Sequence, residues 1–365
     1  MCCCLFELKT EKVEEYLSNV YKMATKVTRL APLRGGEVAD LKGFGYGVPY
    51  IIEFIVNGQP KVCVLETMRP EGFGHDHFSD RAGILLWQHS SFNKLPNHVH
   101  SVDVGSFLND CQSMKSLGDC IEFFLLTDFV EGALYHSDLD RIAQKCSLVD
   151  LDEERCIVLA DYLAGIHSVK KDAPQLYIRR IRDLVGHGEG ILGLTDSYPG
   201  NLGYVDEKFF VEFEKKCVEW RWRLKRRVDR LSQVHGDFHP WNIMFQQGTD
   251  FTALDRSRGE WGEPADDVAT LTINYIFYSL QTFGEMYGPF DRLFCLFWKN
   301  YLDNTGDDEI LKMVQPFYAW RSLVIASPLW YPKLSVNVRK KIFRFAENVL
   351  KSKEFEFESV ESYLK

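Results

Sequence analysis

The sequence predicts an α+β protein, with strands concentrated in its first third and helices in the remainder. Short apolar runs bounded by glycine and asparagine dominate the early part, whereas apolar residues recur at helical spacing over most of the later part. A strand-rich part followed by a helical part indicates an α+β protein in two lobes. We expect one domain at residues 1–127 and another at residues 128–365, joined near Thr127 to Gly132.

Composition limits the classes of protein and of partner. With 365 residues, 45% of them hydrophobic and 26% charged, the chain has an ordinary globular composition and enough length to bury a core. Its formal net charge of -9 argues against nucleic acid or an anionic membrane as the general partner. No apolar stretch approaches the roughly 18 residues of a membrane span. We therefore expect a soluble, cytoplasmic protein.

The ten cysteines show no metal-type spacing, which favours reduced thiols. The opening run Cys2, Cys3 and Cys4 could accept acyl groups. It lacks the charged start and the apolar run of a signal peptide, so we expect no secretory leader.

The first part contains two predicted helices and three predicted strands. The helices are residues 10–30 and 79–89, and the strands are residues 50–56, 61–65 and 121–127. Residues 10–30 have one apolar face at helical spacing, and Ser79 is placed to cap the second helix. Asn57-Gly58 between the first two strands is typical of a tight hairpin turn.

The second part is predicted to be mainly helical, with two short strands between the helices. The helices are residues 152–168, 206–231 and most of 265–352, and the strands are residues 243–245 and 251–254. Between the second of these helices and the first strand lies the segment His235-Gly-Asp-Phe-His-Pro-Trp-Asn242, which carries the chemistry.

This segment has the H-x-D-x-x-x-x-N pattern that kinases use in their catalytic loop. Asp237 would accept or orient the proton of an attacking hydroxyl, while Asn242 and Asp255 offer the hard oxygen ligands that Mg²⁺ prefers. Phosphoryl transfer depends mainly on such positioning and charge neutralisation, because its loose transition state requires little covalent work from the protein. The alternative is a polar turn whose Asp and Asn side chains cap backbone groups.

The segment resembles the aminoglycoside phosphotransferase and choline kinase superfamily, together with Leu254-Asp255, Gly262-Glu-Pro-Ala-Asp-Asp-Val-Ala269 and Leu159-Ala-Asp-Tyr-Leu-Ala-Gly-Ile-His167. The resemblance covers roughly residues 35–350 and is strongest in the second half. It implies a bilobal protein-kinase-like fold with a small β-rich lobe, a larger helical lobe and ATP between them. By the same match Asp267 would be the buried acid that holds the catalytic loop through backbone N–H groups, and His235 would keep that loop in shape.

A glycine-spaced turn before the predicted hairpin is a candidate lid over the nucleotide. Its expected ATP-binding residues are Gly43, Phe44, Gly45 and Tyr46. Glycines there would let backbone N–H groups approach phosphates without interference from a Cβ atom. Thr127, at the join between the two parts, is also expected to bind ATP.

The expected strand cation is missing, because Glu66 occupies the position at which such kinases carry Lys or Arg. Lys61 would point to the opposite face of a regular strand. Lys42 or Arg69 could reach phosphate instead. A further hypothesis is a reversed ion pair between Glu66 and Arg81, which would present the Arg81 guanidinium to ATP.

Two regions are candidates for binding the acceptor. In residues 175–199, Arg179, Arg180 and Arg182 would suit an anionic acceptor, and His187 with Glu189 a hydroxylated one. The alternative is a solvated basic helix end followed by a glycine-rich turn. A cationic acceptor would instead need acids beside aromatic rings. The candidates are Glu260, Glu263, Asp266, Asp307, Asp308 and Glu309, beside Trp261, Tyr275 and Tyr278.

We therefore predict an ATP- and Mg²⁺-dependent phosphotransferase that acts on a hydroxyl of a small molecule such as an aminoglycoside, amino alcohol, sugar or nucleoside. The alternative is a pseudokinase, a nucleotide-binding scaffold that has lost catalysis together with its strand cation. Retention of Asp237, Asn242 and Asp255 favours the enzyme, because a scaffold has no chemical need for all three. A protein kinase is disfavoured because nothing between Asp255 and Pro264 resembles an activation loop.

Overall fold

The computed structural model describes residues 8–32, 49–70, 74–94, 96, 98–200 and 202–365. Contacts between Cα atoms divide the chain into two compact units, Met1–Thr127 and Asp128–Lys365. The predicted lid residues Gly43, Phe44, Gly45 and Tyr46, together with Lys42 and Cys2 to Cys4, lie outside the described residues. Within the described residues, no helix has the length and apolar character needed to cross a membrane.

The first unit combines short antiparallel sheets with two helices. Its described elements are α1 Thr10–Tyr21, β1 Thr25–Pro32, β2 Tyr50–Val56, β3 Gln59–Leu65, α2 Phe78–Phe92, β4 Gly105–Phe107 and β5 Met114–Ser116. Strands β1, β2 and β3 form one antiparallel sheet in that order, and β4 pairs with β5. Val13 and Leu17 of α1 share a small apolar core with Val27, Ile52 and Phe54 of the sheet.

The predicted hairpin is confirmed, with Val56 paired to Gln59 across its turn. Asn57 and Gly58 both have positive φ, 49° and 74°. A two-residue turn with positive φ at both positions matches the right-handed twist of the flanking strands, and Asn-Gly adopts it at low cost.

Three predictions for this unit are corrected. The helix predicted for residues 10–30 ends at Tyr21, because Lys22 adopts a left-handed conformation and the chain continues as β1. The second helix begins at Phe78, its N-cap residue is His77 and not Ser79, and the Asp80 carboxylate accepts from the His77 N–H at 2.8 Å. Residues 121–127 form no strand and all five of their apolar side chains are exposed, because an apolar run does not itself supply a pairing partner.

The second unit is mainly helical. Its helices are α3 His136–Lys145, α4 Asp150–His167, α5 Pro174–Gly186, α6 Ile191–Asp196, α7 Glu207–Leu224, α8 Ala265–Thr282, α9 Gly288–Thr305, α10 Gln315–Ile325 and α11 Val336–Lys351. Its strands are β6 Ala133–Leu134, β7 Ser232–Gln233, β8 Ile243–Phe245, β9 Phe251–Ala253 and β10 Trp261–Gly262. Short 3₁₀ helices lie at Val228–Arg230, Pro240–Asn242, Asp308–Lys312 and Phe357–Leu364.

Helix α8 is the centre of this unit, since every residue from Ala265 to Leu280 is buried. It packs against α9 and α10. The predicted helix at residues 152–168 is confirmed as α4, whereas the one predicted at 206–231 ends at Leu224. The predicted α+β fold class is confirmed, because the described residues contain short antiparallel sheets and a helical second unit.

The two short strands of the predicted catalytic segment are also confirmed. Strands β8 and β9 form an antiparallel hairpin in which Ile243 pairs with Ala253. Strand β6 lies on the other side of β8. The hairpin therefore brings the residues before β8 next to the residues after β9.

Candidate active site

Asp267 holds the start of the loop at residues 235–242. Its carboxylate lies in the first turn of α8, is fully buried, and accepts hydrogen bonds from the backbone N–H groups of His235 and Gly236, each at 2.7 Å. Burial alone would raise the pKa of Asp267, but its hydrogen bonds and the neighbouring His167 lower that pKa overall. The Asp267 carboxylate thus binds two successive backbone N–H groups at the start of the loop.

His235 contributes to the shape of the loop. Its Nδ1 lies 3.3 Å from the Asp237 N–H, and its ring packs edge to face against Phe238. The next residue, Gly236, has φ of +86°, and a Cβ atom there would lie 3.2 Å from Cβ of Arg258. The loop conformation therefore favours glycine at this position.

The Asp237 carboxylate is mostly buried and lies among positive charges. Its Oδ1 lies 2.7 Å from Nη1 of Arg321 and 3.5 Å from Nη1 of Arg258, while its Oδ2 lies 3.7 Å from Nε2 of His239. Burial alone would raise the pKa of Asp237, but the charges of Arg321 and Arg258 outweigh burial and lower it. The carboxylate is therefore ionised at neutral pH, and its Oδ2 accepts no hydrogen bond from the described residues.

Arg321, Arg258 and Trp320 were missed by the sequence analysis. The Arg321 guanidinium lies 3.9 Å and that of Arg258 4.8 Å from the Trp320 ring. One signal could have revealed Arg321, because it interrupts the otherwise largely apolar helix α10, and a cation buried there requires a charged partner.

Asn242 and Asp255 lie at adjacent ends of the β8–β9 hairpin, since the Leu254 N–H donates to the Asn242 carbonyl at 2.8 Å. The Asn242 side-chain N–H donates to the Asp237 carbonyl at 3.1 Å, which leaves its amide oxygen available. Asp255 is exposed, has φ of 53°, and forms no hydrogen bond or ion pair with the described residues.

These two residues fit a magnesium ion held only partly by protein. Among the described residues, no group of three or more His, Cys, Asp or Glu side chains could hold a metal ion. An amide oxygen and a carboxylate would supply a minority of the ligands. Mg²⁺ accepts such sites because it commonly keeps water and phosphate oxygens as its other ligands.

The residues predicted to bind an acceptor are only partly brought to this site. His187 and Glu189 lie in the turn after α5, where the Glu189 carboxylate is 3.5 Å from Nε of Arg258 and its carbonyl accepts from the Trp320 indole at 2.8 Å. Arg179 and Arg182 lie on α5 and pair with Asp183, at 3.3 Å and 3.2 Å. The turn at residues 187–189 is therefore a candidate wall of the acceptor site.

Most acids predicted to bind a cationic acceptor already have partners. Glu263 and Asp307 both pair with the buried Arg230 at 2.7 Å. Glu309 pairs with the same guanidinium and with Arg227. Asp266 pairs with Arg321. These acids belong to the ionic network of the unit, and binding of a cationic acceptor by them stays a prediction.

The aromatic residues of the predicted cation site are similarly engaged. Tyr275 is buried and contacts the Tyr135 hydroxyl at 3.0 Å, while the Tyr278 hydroxyl donates to Asp140 at 2.8 Å. Trp261 donates to the Glu260 carboxylate at 2.9 Å, and the Lys171 ammonium lies 4.8 Å from its ring. A cation of the chain itself therefore already lies over the Trp261 ring.

In the first unit, the hypothetical ion pair between Glu66 and Arg81 is not formed. Arg81 donates instead to the backbone carbonyls of His75 and Asp76, at 2.6 Å and 3.2 Å. Glu66 is exposed directly after β3, and Arg69 and Thr127 are also exposed. Nucleotide binding by Arg81 and Thr127 stays a prediction.

An ionised aspartate, an amide and a second carboxylate lie on one loop and hairpin beside two arginines, and groups of these kinds are the ones that phosphoryl transfer uses. The chain belongs to the phosphotransferase enzyme family (APH), whose family model matches residues 100–292, more than half of its length. It is therefore a phosphotransferase by family. Among curated protein sequences, none matches the chain.

Several solved structures are similar to the chain at low identity. An amicoumacin kinase, hAmiN, in complex with AMP-PNP, Ca²⁺ and Ami is 15% identical over 90% of this chain and 93% of that chain, with a TM-score of 0.41. An ethanolamine kinase of Plasmodium vivax is 14% identical over 90% and 82%, with a TM-score of 0.35. A choline kinase of Cryptosporidium parvum is 12% identical over 90% and 86%, with a TM-score of 0.33.

Proposed function

We propose that the protein transfers the terminal phosphate of ATP, with Mg²⁺, to a hydroxyl group of a small molecule. The observation that carries this proposal is the environment of Asp237. Its Oδ1 is bound by Arg321 at 2.7 Å, whereas its Oδ2 accepts no hydrogen bond from the described residues. An ionised carboxylate with one oxygen fixed and the other available is suited to bind and orient a hydroxyl.

In the proposed reaction, the acceptor hydroxyl oxygen bonds to the terminal phosphorus, and the bond from that phosphorus to the bridging oxygen of ADP breaks. The hydroxyl proton passes to Oδ2 of Asp237, and from there to solvent. The lowered pKa makes Asp237 a weak base. A loose transition state tolerates a weak base, because the hydroxyl keeps its proton until late and orientation matters more than activation.

Asn242 and Asp255 are the residues that would hold Mg²⁺, which supplies neutralisation of charge on the phosphate oxygens. Arg258 offers further positive charge beside Asp237. Its Nε and Nη1 are buried and make no hydrogen bond in the described structure, although acids lie 3.5 Å away. A donor in this state is suited to bind charge that develops on the transferred phosphoryl group.

As the acceptor, we favour a sugar or a nucleoside over a cationic aminoglycoside or amino alcohol. Four acids that a cationic acceptor would require are bound to arginines in the described structure, namely Glu263, Asp266, Asp307 and Glu309. Releasing such acids would leave buried guanidinium groups without partners, which is costly. Aminoglycosides and amino alcohols are therefore ranked behind sugars and nucleosides.

The test incubates the protein with ATP and Mg²⁺ and follows ADP release across a panel of sugars, nucleosides, amino alcohols and aminoglycosides. We expect turnover with at least one acceptor and a loss on the order of 10²–10⁴ in rate for Asp237→Asn. Asp250→Asn is the matched control, because Asp250 is an exposed acid in the turn of the neighbouring β8–β9 hairpin. Nucleotide binding without turnover across the whole panel would instead favour the pseudokinase.

A further inference from the structure

We propose that Arg321 is a positioning residue, which fixes the Asp237 carboxylate so that Oδ2 and not Oδ1 faces the acceptor hydroxyl. Arg321 lies on α10, far along the chain from the loop that carries Asp237. The proposal rests on the proposed function, since it assigns a role within the same reaction.

The contacts of Arg321 hold both the side chain and the backbone of the loop. Its Nη1 donates to Oδ1 of Asp237 at 2.7 Å, and its Nη2 donates to the Asp266 carboxylate at 2.8 Å and to the Gly236 carbonyl at 3.2 Å. Since Asp267 accepts from the Gly236 N–H, both sides of the loop around Gly236 are bound. One planar guanidinium thus sets the orientation of Asp237 relative to α8.

Burial makes this orientation rigid. Arg321 is only 5% exposed, and its guanidinium lies over the Trp320 ring at 3.9 Å. A guanidinium held by two carboxylates, a carbonyl and an aromatic ring cannot rotate without losing several contacts together. The Asp237 carboxylate is therefore prevented from exchanging its two oxygens.

The surroundings of Oδ2 show which oxygen is left for the acceptor. Its ion-pair neighbour in the described structure is His239, whose Nε2 lies at 3.7 Å, beyond hydrogen-bonding distance. Nδ1 of His239 accepts from the Trp241 N–H at 3.1 Å, which fixes the ring. A hydroxyl can therefore donate to Oδ2 without displacing any hydrogen bond within the described structure.

The test uses the full chain and compares Arg321→Gln and Arg321→Lys, each alone and combined with Asp237→Asn. We expect Arg321→Gln to lower kcat on the order of 10²-fold, as for other misplaced reacting groups. The KM for ATP should change less than about twofold, because the contacts of Arg321 are to Asp237 and its loop. Arg321→Lys should recover part of kcat, since it keeps the charge but loses the bidentate geometry.

The double variant separates positioning from general stability. If Arg321 acts through Asp237, then Arg321→Gln should cost less than about threefold once Asp237 is already Asn. If Arg321→Gln lowers kcat by the same factor in the wild type and in the Asp237→Asn variant, the proposal is overturned. The control is Arg339→Gln, because Arg339 is a buried arginine of α11 that, among the described residues, donates only to the Ala326 and Tyr331 carbonyls. It should lower stability and leave kcat unchanged.

If Arg321→Gln does not fold, Asp266→Asn replaces it, because that change removes the second anchor of the same guanidinium. We then expect Asp266→Asn to lower kcat by less than Arg321→Gln would. Once Asp237 is already Asn, Asp266→Asn should lower kcat little further. Absence of turnover in the wild type, or full turnover in Asp237→Asn, would overturn the proposed function and this inference together. A large Asp237→Asn effect with an additive Arg321→Gln effect would overturn this inference alone.

Discussion

Nε2 of His167 lies 3.1 Å from Oδ2 of Asp267, and this contact joins helix α4 to the α8 carboxylate that holds the loop carrying Asp237. The same Oδ2 accepts from the His235 N–H, and Oδ1 accepts from the Gly236 N–H. Because a carboxylate only accepts hydrogen bonds, Nε2 of His167 carries the hydrogen. Three donors from two elements thus hold one fully buried charge, and the loop depends on the position of α4.

His167→Ala should therefore lower both stability and activity. Removal of one donor to a buried carboxylate leaves its charge less compensated, at a cost of about 1–3 kcal/mol. We expect this loss in urea unfolding, together with a lower kcat and a nearly unchanged KM for ATP. Tyr301→Phe is the graded control, because its hydroxyl contacts Nδ1 of the same imidazole at 2.8 Å without touching the loop. Equal effects of the two changes on kcat would contradict a link from His167 to the loop through Asp267.

Gly236→Ala should reduce activity more than Gly248→Ala, although both glycines have positive φ. At Gly236 φ is +86° and a Cβ atom would lie 3.2 Å from Cβ of Arg258, whereas at Gly248 φ is +61° and nothing lies within 4 Å. Both changes incur a backbone cost of about 1 kcal/mol. Only the first also displaces Arg258 beside Asp237. The two variants should therefore differ little in stability and clearly in kcat. Equal kcat values for Gly236→Ala and Gly248→Ala would argue against the close approach at Gly236.

Asp255→Asn should raise the Mg²⁺ concentration needed for half-maximal activity by about 10–100-fold. An amide is a neutral and weaker ligand than a carboxylate for a hard divalent cation. The measurement is a Mg²⁺ titration of ADP release at saturating ATP, with Asp250→Asn, from the turn of the same hairpin, as the control. An unchanged Mg²⁺ requirement in Asp255→Asn would place the metal ligand elsewhere.

The parts of the site that sequence reasoning found are local. Asp237 and Asn242 lie in one loop, and the apolar runs on either side of the hairpin turn indicate that Asp255 returns to that loop. By contrast, Arg321 lies 84 residues from Asp237 and reaches it only because α10 packs against α8. No local pattern encodes that packing. The pairing of acids with arginines was likewise invisible, since composition shows charges without their partners.

The errors in the fold prediction have a similar origin. Residues 10–30 contain no glycine or proline, so nothing marks the end of α1 at Lys22, where the left-handed turn forms. The hairpin at Asn57-Gly58 was predictable because its turn residues themselves favour positive φ. Local rules thus succeeded where the conformation is determined locally, and they failed where tertiary contacts decide it.

The ion pair between Asp307 and Arg230 should make stability depend on pH in the acid range. Burial alone would raise the pKa of Asp307, but its hydrogen bonds to Arg230, at 2.7 Å and 2.8 Å, lower that pKa overall. A carboxyl whose folded pKa lies below its unfolded value of about 3.9 adds stability above that value. This contribution is lost as pH falls through the folded pKa, where the native state also takes up the proton.

Asp307→Asn should accordingly be less stable than wild type by about 1–3 kcal/mol at neutral pH, and the difference should shrink below pH of about 4. The measurement is urea unfolding of wild type and Asp307→Asn at a series of pH values from neutral down to the lowest pH at which both proteins still fold, which gives the difference in their free energies of unfolding. Asp308→Asn is the matched control, because Asp308 is exposed and forms no ion pair in the described structure. A wild-type advantage over Asp307→Asn that stays constant into the acid range would show that the Asp307 charge does not stabilise the fold, and that only its shape matters to Arg230.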